Sequence, residues 1–66
     1  MFELVFLLRR CRKRAAEWAD RAETAVTAEE RYRHLMVAEH YSALAERAER
    51  SMKAAWEERF PRMLSA

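Results

Sequence analysis

The sequence contains no glycine, asparagine or glutamine, and only one aspartate, one proline and one cysteine among 66 residues. Tight β-turns depend on residues that adopt positive φ, chiefly glycine and asparagine, so their absence argues against an antiparallel sheet. Phosphate-binding loops of the P-loop and Rossmann types also require glycine. A single cysteine, Cys11, excludes an internal disulfide and a cysteine-rich zinc site. These deficits leave an all-α protein as the predicted fold class.

The short chain limits how much apolar surface the protein can bury by itself. A compact protein of this size buries only about 60% of its extended surface, and such chains usually add a disulfide, a metal or an oligomeric partner. The only histidines, His34 and His40, point about 120° apart on a helix and cannot bind one ion together. We therefore predict no metal and no cofactor, and we expect oligomerisation or docking on a partner.

The charge of the chain is concentrated at its N-terminal end. The whole sequence carries 13 basic and 11 acidic residues, a net charge of +2, whereas residues 1–14 hold five basic residues and one acid. The leading apolar run, MFELVFLL, is far shorter than the ~20 residues of a membrane-spanning helix. The basic residues follow this run, and a secretory signal has the opposite order. With a free cysteine, this predicts a cytoplasmic location, and a peripheral position at the inner face of a membrane stays open.

Two amphipathic segments predict a helical hairpin. In the first, apolar residues recur at helical spacing and predict a helix over about 2–25. The run Thr27-Ala28-Glu29-Glu30 has the pattern of a capping box and predicts a turn over about 26–28. A second helix over about 28–60 ends where Pro61 disfavours helical backbone. One uninterrupted helix is the alternative, because no glycine marks the break.

Each predicted helix carries one apolar stripe, and folding at the turn makes the two stripes antiparallel. The first stripe consists of Leu4, Leu8, Cys11, Ala15, Trp18, Ala22 and Ala25. The second consists of His34, Val37, Tyr41, Leu44, Ala45, Ala48, Met52, Ala55 and Trp56. Bulky residues of one stripe mostly oppose small residues of the other, which lets the helices approach closely. The sequence therefore predicts a single domain over residues 1–66, an antiparallel two-helix hairpin.

Several large apolar residues lie outside these stripes or beyond the shorter helix, where a hairpin alone would leave them exposed. Exposed apolar patches rimmed by charge usually mark interaction sites. We expect protein contacts at Phe2, Val5, Phe6, Tyr32, Leu35, Met36, Trp56 and Phe60. Met63 and Leu64 lie with Trp56 and Phe60 in the segment that extends beyond the first helix. Either a homodimeric four-helix bundle or docking on a larger assembly would cover them.

The basic cluster in residues 1–14 allows three interpretations. Its members are Arg9, Arg10, Arg12, Lys13 and Arg14. They spread around the helical wheel, which favours a solvated segment that keeps the apolar end soluble. Contact with anionic lipid is the second interpretation, with residues 1–8 at the headgroup boundary, and contact with nucleic acid is the third. Without asparagine or glutamine, nucleic-acid binding would depend on phosphates and lack sequence specificity.

Candidate catalytic chemistry is sparse. Cys11 lies on the apolar stripe, which favours a small buried side chain, although the surrounding cations could activate a thiolate. We expect His34 at the edge of the core, hydrogen-bonded to a carboxylate or a tyrosine, and His40 on the surface beside Glu39. A two-helix hairpin does not enclose a substrate pocket, so we predict that the protein is not an enzyme.

Part of the second helix resembles a known type of sequence. The run Arg31–Arg50, RYRHLMVAEHYSALAERAER, resembles the second helix of short uncharacterised bacterial proteins that pair a helix, a Thr-led turn and a helix with an A-E-H-Y-x-x-L-A-E-like run. The matching residues are Ala38, Glu39, His40, Tyr41, Leu44, Ala45 and Glu46. The resemblance covers under a third of the chain and implies a helical hairpin without an assigned activity. The apolar and basic N-terminus departs from that class.

Together these features predict a non-catalytic accessory or structural subunit that self-associates or binds a larger assembly, plausibly near a membrane. A basic nucleic-acid-binding regulator and an interfacial membrane binder acting through residues 1–14 are the alternatives. Salt dependence separates phosphate binding from apolar docking.

Overall fold

A computed structural model describes residues 2–60, of which Phe2 by its backbone alone, and shows a hairpin of two α-helices. Helix α1 spans Phe2–Glu23 and helix α2 spans Ala28–Arg59. Arg12 of α1 pairs with Glu49, whereas Trp18, further along α1, packs against His34. A later residue of α1 thus contacts an earlier residue of α2, which shows that the helices are antiparallel. The predicted hairpin is confirmed, and the alternative of one uninterrupted helix is wrong.

Helix α1 ends two residues earlier than the periodicity predicts. The Thr24 hydroxyl donates to the carbonyl oxygen of Arg21 at 3.3 Å, and the Ala25 amide donates to the carbonyl of Ala22 at 3.3 Å. These bonds satisfy carbonyls that the end of a helix leaves without partners. Every φ angle among residues 2–60 is negative, so the helix ends without the left-handed residue that commonly ends one. A threonine side chain supplies one of the hydrogen bonds that end this helix.

Helix α2 begins at the predicted cap. Thr27 has extended backbone angles, φ −111° and ψ 155°, and its hydroxyl accepts a hydrogen bond from the Glu30 amide at 3.1 Å. This bond satisfies one of the free amides of the first turn, as an N-cap does. The reciprocal bond of a full capping box, from the Thr27 amide to the Glu30 carboxylate, is not formed. At the other end Phe60, which precedes Pro61, has left the helical region and donates to the Trp56 carbonyl at 2.8 Å.

The contact between the helices follows the predicted stripes. Every residue of the first stripe is buried or half-buried. The second stripe is also covered as far as Ala55, and Ala38 joins it as a buried residue that the predicted pattern omits. Trp56 is exposed because α2 is ten residues longer than α1, about 15 Å of helix, and extends past it.

The buried core contains only small side chains. The buried residues in the described part of the chain are Cys11, Ala22, Ala38, Ala45 and Ala48. Small residues let the helix axes approach closely, but each one buries little apolar area. The radius of gyration is 15.9 Å, against about 11 Å for a compact domain of this length. The hairpin is therefore elongated, and its larger apolar side chains lie at the edge of the seam or in solvent.

Candidate interaction surfaces

The first candidate surface lies on α2 near the turn, and we call it the turn-proximal patch. It consists of Tyr32, Leu35 and Met36, all exposed, with Tyr32 65% accessible. Leu35 also lines a shallow groove between the helices, together with Ala19, Ala22, Glu23 and Arg31 of the hairpin. A groove between two antiparallel helices is where a further helix packs in a four-helix bundle.

The second candidate surface is the start of α1, and only part of it lies where the sequence predicts. Phe6 is 63% exposed and Leu7 is also exposed, although Leu7 is absent from the predicted contacts. Val5, predicted to be exposed, is instead half-buried, because its position at the flank of the stripe brings it toward α2. The predicted contact at the side chain of Phe2 lies outside the described part of the structure.

The third candidate surface is the overhanging end of α2. The rings of Trp56 and Phe60 pack on each other with centroids 4.4 Å apart, and both side chains are exposed. The two residues are four positions apart, so they lie on one face of the helix. The predicted contacts at Met63 and Leu64 lie beyond the described residues.

The basic cluster is divided by the fold. Arg12 forms an ion pair with Glu49 on α2 and so bridges the two helices. The other four, Arg9, Arg10, Lys13 and Arg14, line one shallow surface depression on α1, together with Glu17. Glu17 lies 3.5 Å from Arg14, between its Oε2 and the Nη1 of the arginine. The five cations are therefore not spread evenly around the helix as expected. Four of them share one face, and Arg12 lies apart from them.

His34 lies at the edge of the seam, but its environment differs from the expected one. Its ring packs against the indole of Trp18, with ring centroids 5.4 Å apart. The Nδ1 atom is buried and has no hydrogen-bond partner, whereas we expected a carboxylate or a tyrosine. The expected hydrogen bond is therefore not formed at this atom. His40 is exposed, as predicted, and its ring lies 5.7 Å from that of Tyr41.

The remaining chemical candidates are Cys11 and the metal-ligating residues. Cys11 is 2% accessible and packs within the helix seam, so the prediction of a small buried side chain is confirmed. Among residues 2–60, histidine, cysteine and carboxylate side chains do not gather in a group of three or more that could hold a metal ion. Over the same residues, neither helix has an apolar stretch long enough to cross a bilayer.

The chain matches no protein-family model, no curated protein and no solved structure. The resemblance of Arg31–Arg50 to short bacterial hairpin proteins therefore stays a prediction.

Proposed function

We propose that this protein is a non-catalytic helical subunit that acts through protein contacts, and that it pairs with a second copy of itself. The observation that carries the proposal is the contrast between its core and its surface. The described part of the chain buries only one cysteine and four alanines, while eight large apolar side chains are exposed. Such a hairpin has little apolar burial to offset the conformational entropy of folding. A partner that covers the exposed residues supplies the missing core.

The exposed area is large enough for a stable dimer. The chain exposes 5776 Å², whereas a compact monomer of 7.9 kDa would expose about 4,400 Å². The excess of about 1,400 Å² exceeds the roughly 800 Å² that each partner buries in a standard interface. An interface of standard size with a second hairpin would therefore cover more than half of the surplus.

The turn-proximal patch favours a second copy because its rim is self-complementary. Arg31 and Glu39 are the exposed residues four positions before and after Leu35, on the same face of α2. A twofold axis at Leu35 runs the two copies of α2 antiparallel. It brings each Leu35 against its equivalent, and Arg31 of each copy opposite Glu39 of the other. Apolar side chains then meet at the centre and opposite charges meet at the rim, as in an interface.

The direct test measures molecular mass by multi-angle light scattering over a range of protein concentrations. The wild type should have twice the mass of 7.9 kDa. Leu35→Glu places two carboxylates at the twofold axis and should weaken association by about 30-fold or more, the effect of removing a central contact. Ala54→Glu is the matched control, because Ala54 is an exposed residue of α2 far from the patch, and it should stay dimeric. A wild type that is folded and monomeric throughout would exclude self-association.

Exchanging the rim charges tests the orientation of the pair. Arg31→Glu alone and Glu39→Arg alone each place like charges opposite one another, and each should weaken the dimer. The double variant restores opposite charges with the signs exchanged, so its dissociation constant should return to near the wild-type value. A loss in the double variant equal to the sum of the two single losses would contradict a twofold axis at Leu35.

A further inference from the structure

The outward face of α1 combines one aromatic residue with four cations. Because α1 is continuous, residues three, four, seven and eight positions apart share a face of the helix. Counted from Phe6, those positions are occupied by Arg9, Arg10, Lys13 and Arg14. All five side chains are exposed. We call this set the basic-aromatic face.

The fold leaves the basic-aromatic face free of the contact between the helices. Cys11 points into the seam, and the Arg12 side chain is engaged by Glu49 of α2. The carboxylate that lines the depression on the basic-aromatic face belongs to Glu17, so the four cations and this acid carry a net charge of +3. Of the four cations, only Arg14 has a carboxylate within 4 Å among residues 2–60, that of Glu17.

We infer that the basic-aromatic face binds the surface of an anionic lipid bilayer. The four cations attract lipid phosphates and carboxylates, and Phe6 with its exposed neighbour Leu7 enters the boundary between headgroups and acyl chains. Nucleic acid would attract the same cations, but an aliphatic side chain such as Leu7 gains nothing from a phosphate backbone. The pairing of exposed apolar residues with the cations therefore favours lipid.

This contact is independent of the proposed self-association. The turn-proximal patch belongs to α2, and the basic-aromatic face belongs to the outer side of α1. One apolar anchor gives only weak, reversible membrane binding, and a basic patch supplies the second signal that stable attachment requires. The binding should therefore need both Phe6 and the cations.

The test is co-sedimentation of the full chain with vesicles of equimolar phosphatidylcholine and phosphatidylglycerol, and with vesicles of phosphatidylcholine alone. The chain should bind the anionic vesicles and not those of phosphatidylcholine alone. Binding should weaken as the salt concentration rises from about 0.01 M to about 1 M, because the Debye length shrinks from about 30 Å to about 3 Å over that range. The double variant Lys13→Gln/Arg14→Gln should bind about 30-fold more weakly, since each cation contributes about fivefold at an anionic surface. Arg47→Gln/Arg50→Gln removes the same charge from exposed positions of α2 and should bind nearly as tightly as the wild type.

Phe6→Ala separates lipid from nucleic acid. It should weaken binding to anionic vesicles and leave binding to a double-stranded oligonucleotide unchanged, while circular dichroism confirms that helicity is retained. Three results would overturn the inference. The first is that the chain does not sediment with anionic vesicles. The second is that the two double variants lose vesicle binding equally. The third is that Phe6→Ala leaves vesicle binding intact and the chain binds the oligonucleotide as tightly as the vesicles.

Discussion

The indole of Trp18 packs against two partners, the imidazole of His34 on the opposite helix and the guanidinium of Arg21 on its own helix. The Trp18 and His34 ring centroids are 5.4 Å apart, and the guanidinium carbon of Arg21 lies 4.4 Å from the indole centroid. Tilted aromatic pairs and cations near an indole each contribute about 1 kcal/mol beyond burial. In a seam of small residues, this cluster is a concentrated source of contact energy near the turn.

Replacing Trp18 by alanine should lower the free energy of unfolding by about 2 kcal/mol, because the change removes a half-buried ring and its contact with His34. Urea unfolding followed by circular dichroism measures the effect. Trp18→Phe keeps a ring against His34 and should cost less than about 1.5 kcal/mol, as conservative apolar changes do. Equal losses in both variants would show that stacking contributes nothing.

Replacing Thr27 by alanine should cost about 1 kcal/mol, because the Glu30 amide loses the side-chain oxygen 3.1 Å away that caps α2. The urea midpoint should shift with an unchanged slope. Thr27→Asp restores an acceptor at the same place and adds a negative charge at the N-terminus of the helix, so its stability should match the wild type. A loss in the aspartate variant as large as in the alanine variant would argue against capping.

The buried thiol of Cys11 should react with an aromatic disulfide reagent only after the hairpin opens, because the side chain is 2% accessible. Its modification rate should therefore rise with urea in parallel with unfolding. Cys11→Leu overfills a seam of alanines and should cost about 1–3 kcal/mol. Cys11→Ala fits the seam and serves as the control. Rapid modification of the native protein, at the rate of the unfolded chain, would show that the seam opens readily.

The ion pair between Arg12 and Glu49 bridges the helices at an exposed position, and it should contribute little to stability. A double-mutant cycle with Arg12→Gln and Glu49→Gln should give a coupling energy of about 0.2–1 kcal/mol that declines with salt. The pair engages Arg12 with α2, so this cation is not part of the basic-aromatic face. A coupling above about 2 kcal/mol would instead mark the pair as a main determinant of the fold.

Local patterns in the sequence predicted the elements well, because helices, caps and amphipathic stripes are determined by neighbouring residues. Thr27 caps α2 as its spacing to Glu30 indicates, and α1 ends within two residues of its predicted end. The exposure of Phe6, Tyr32 and Trp56 also followed from their positions relative to the stripes.

The surfaces were harder to predict, because they depend on where the second helix lies. The spread predicted for the five basic residues overlooked a spacing that places Arg9, Arg10, Lys13 and Arg14 on one face. The pairing of Arg12 with Glu49 depends on where α2 lies, and no local pattern contains it. Val5 and His34 are explained in the same way, since each depends on which residue of the neighbouring helix stands opposite it.

The sequence by itself determined two helices, their turn at threonine and the apolar stripes along which they meet. The tertiary structure decided the rotation and offset of one helix against the other, which follow from the close approach of Cys11 and the alanines. Rotation and offset are properties of a pair of helices, so no local periodicity contains them. They bring Glu49 against Arg12, and they place Leu35 at the edge of a groove.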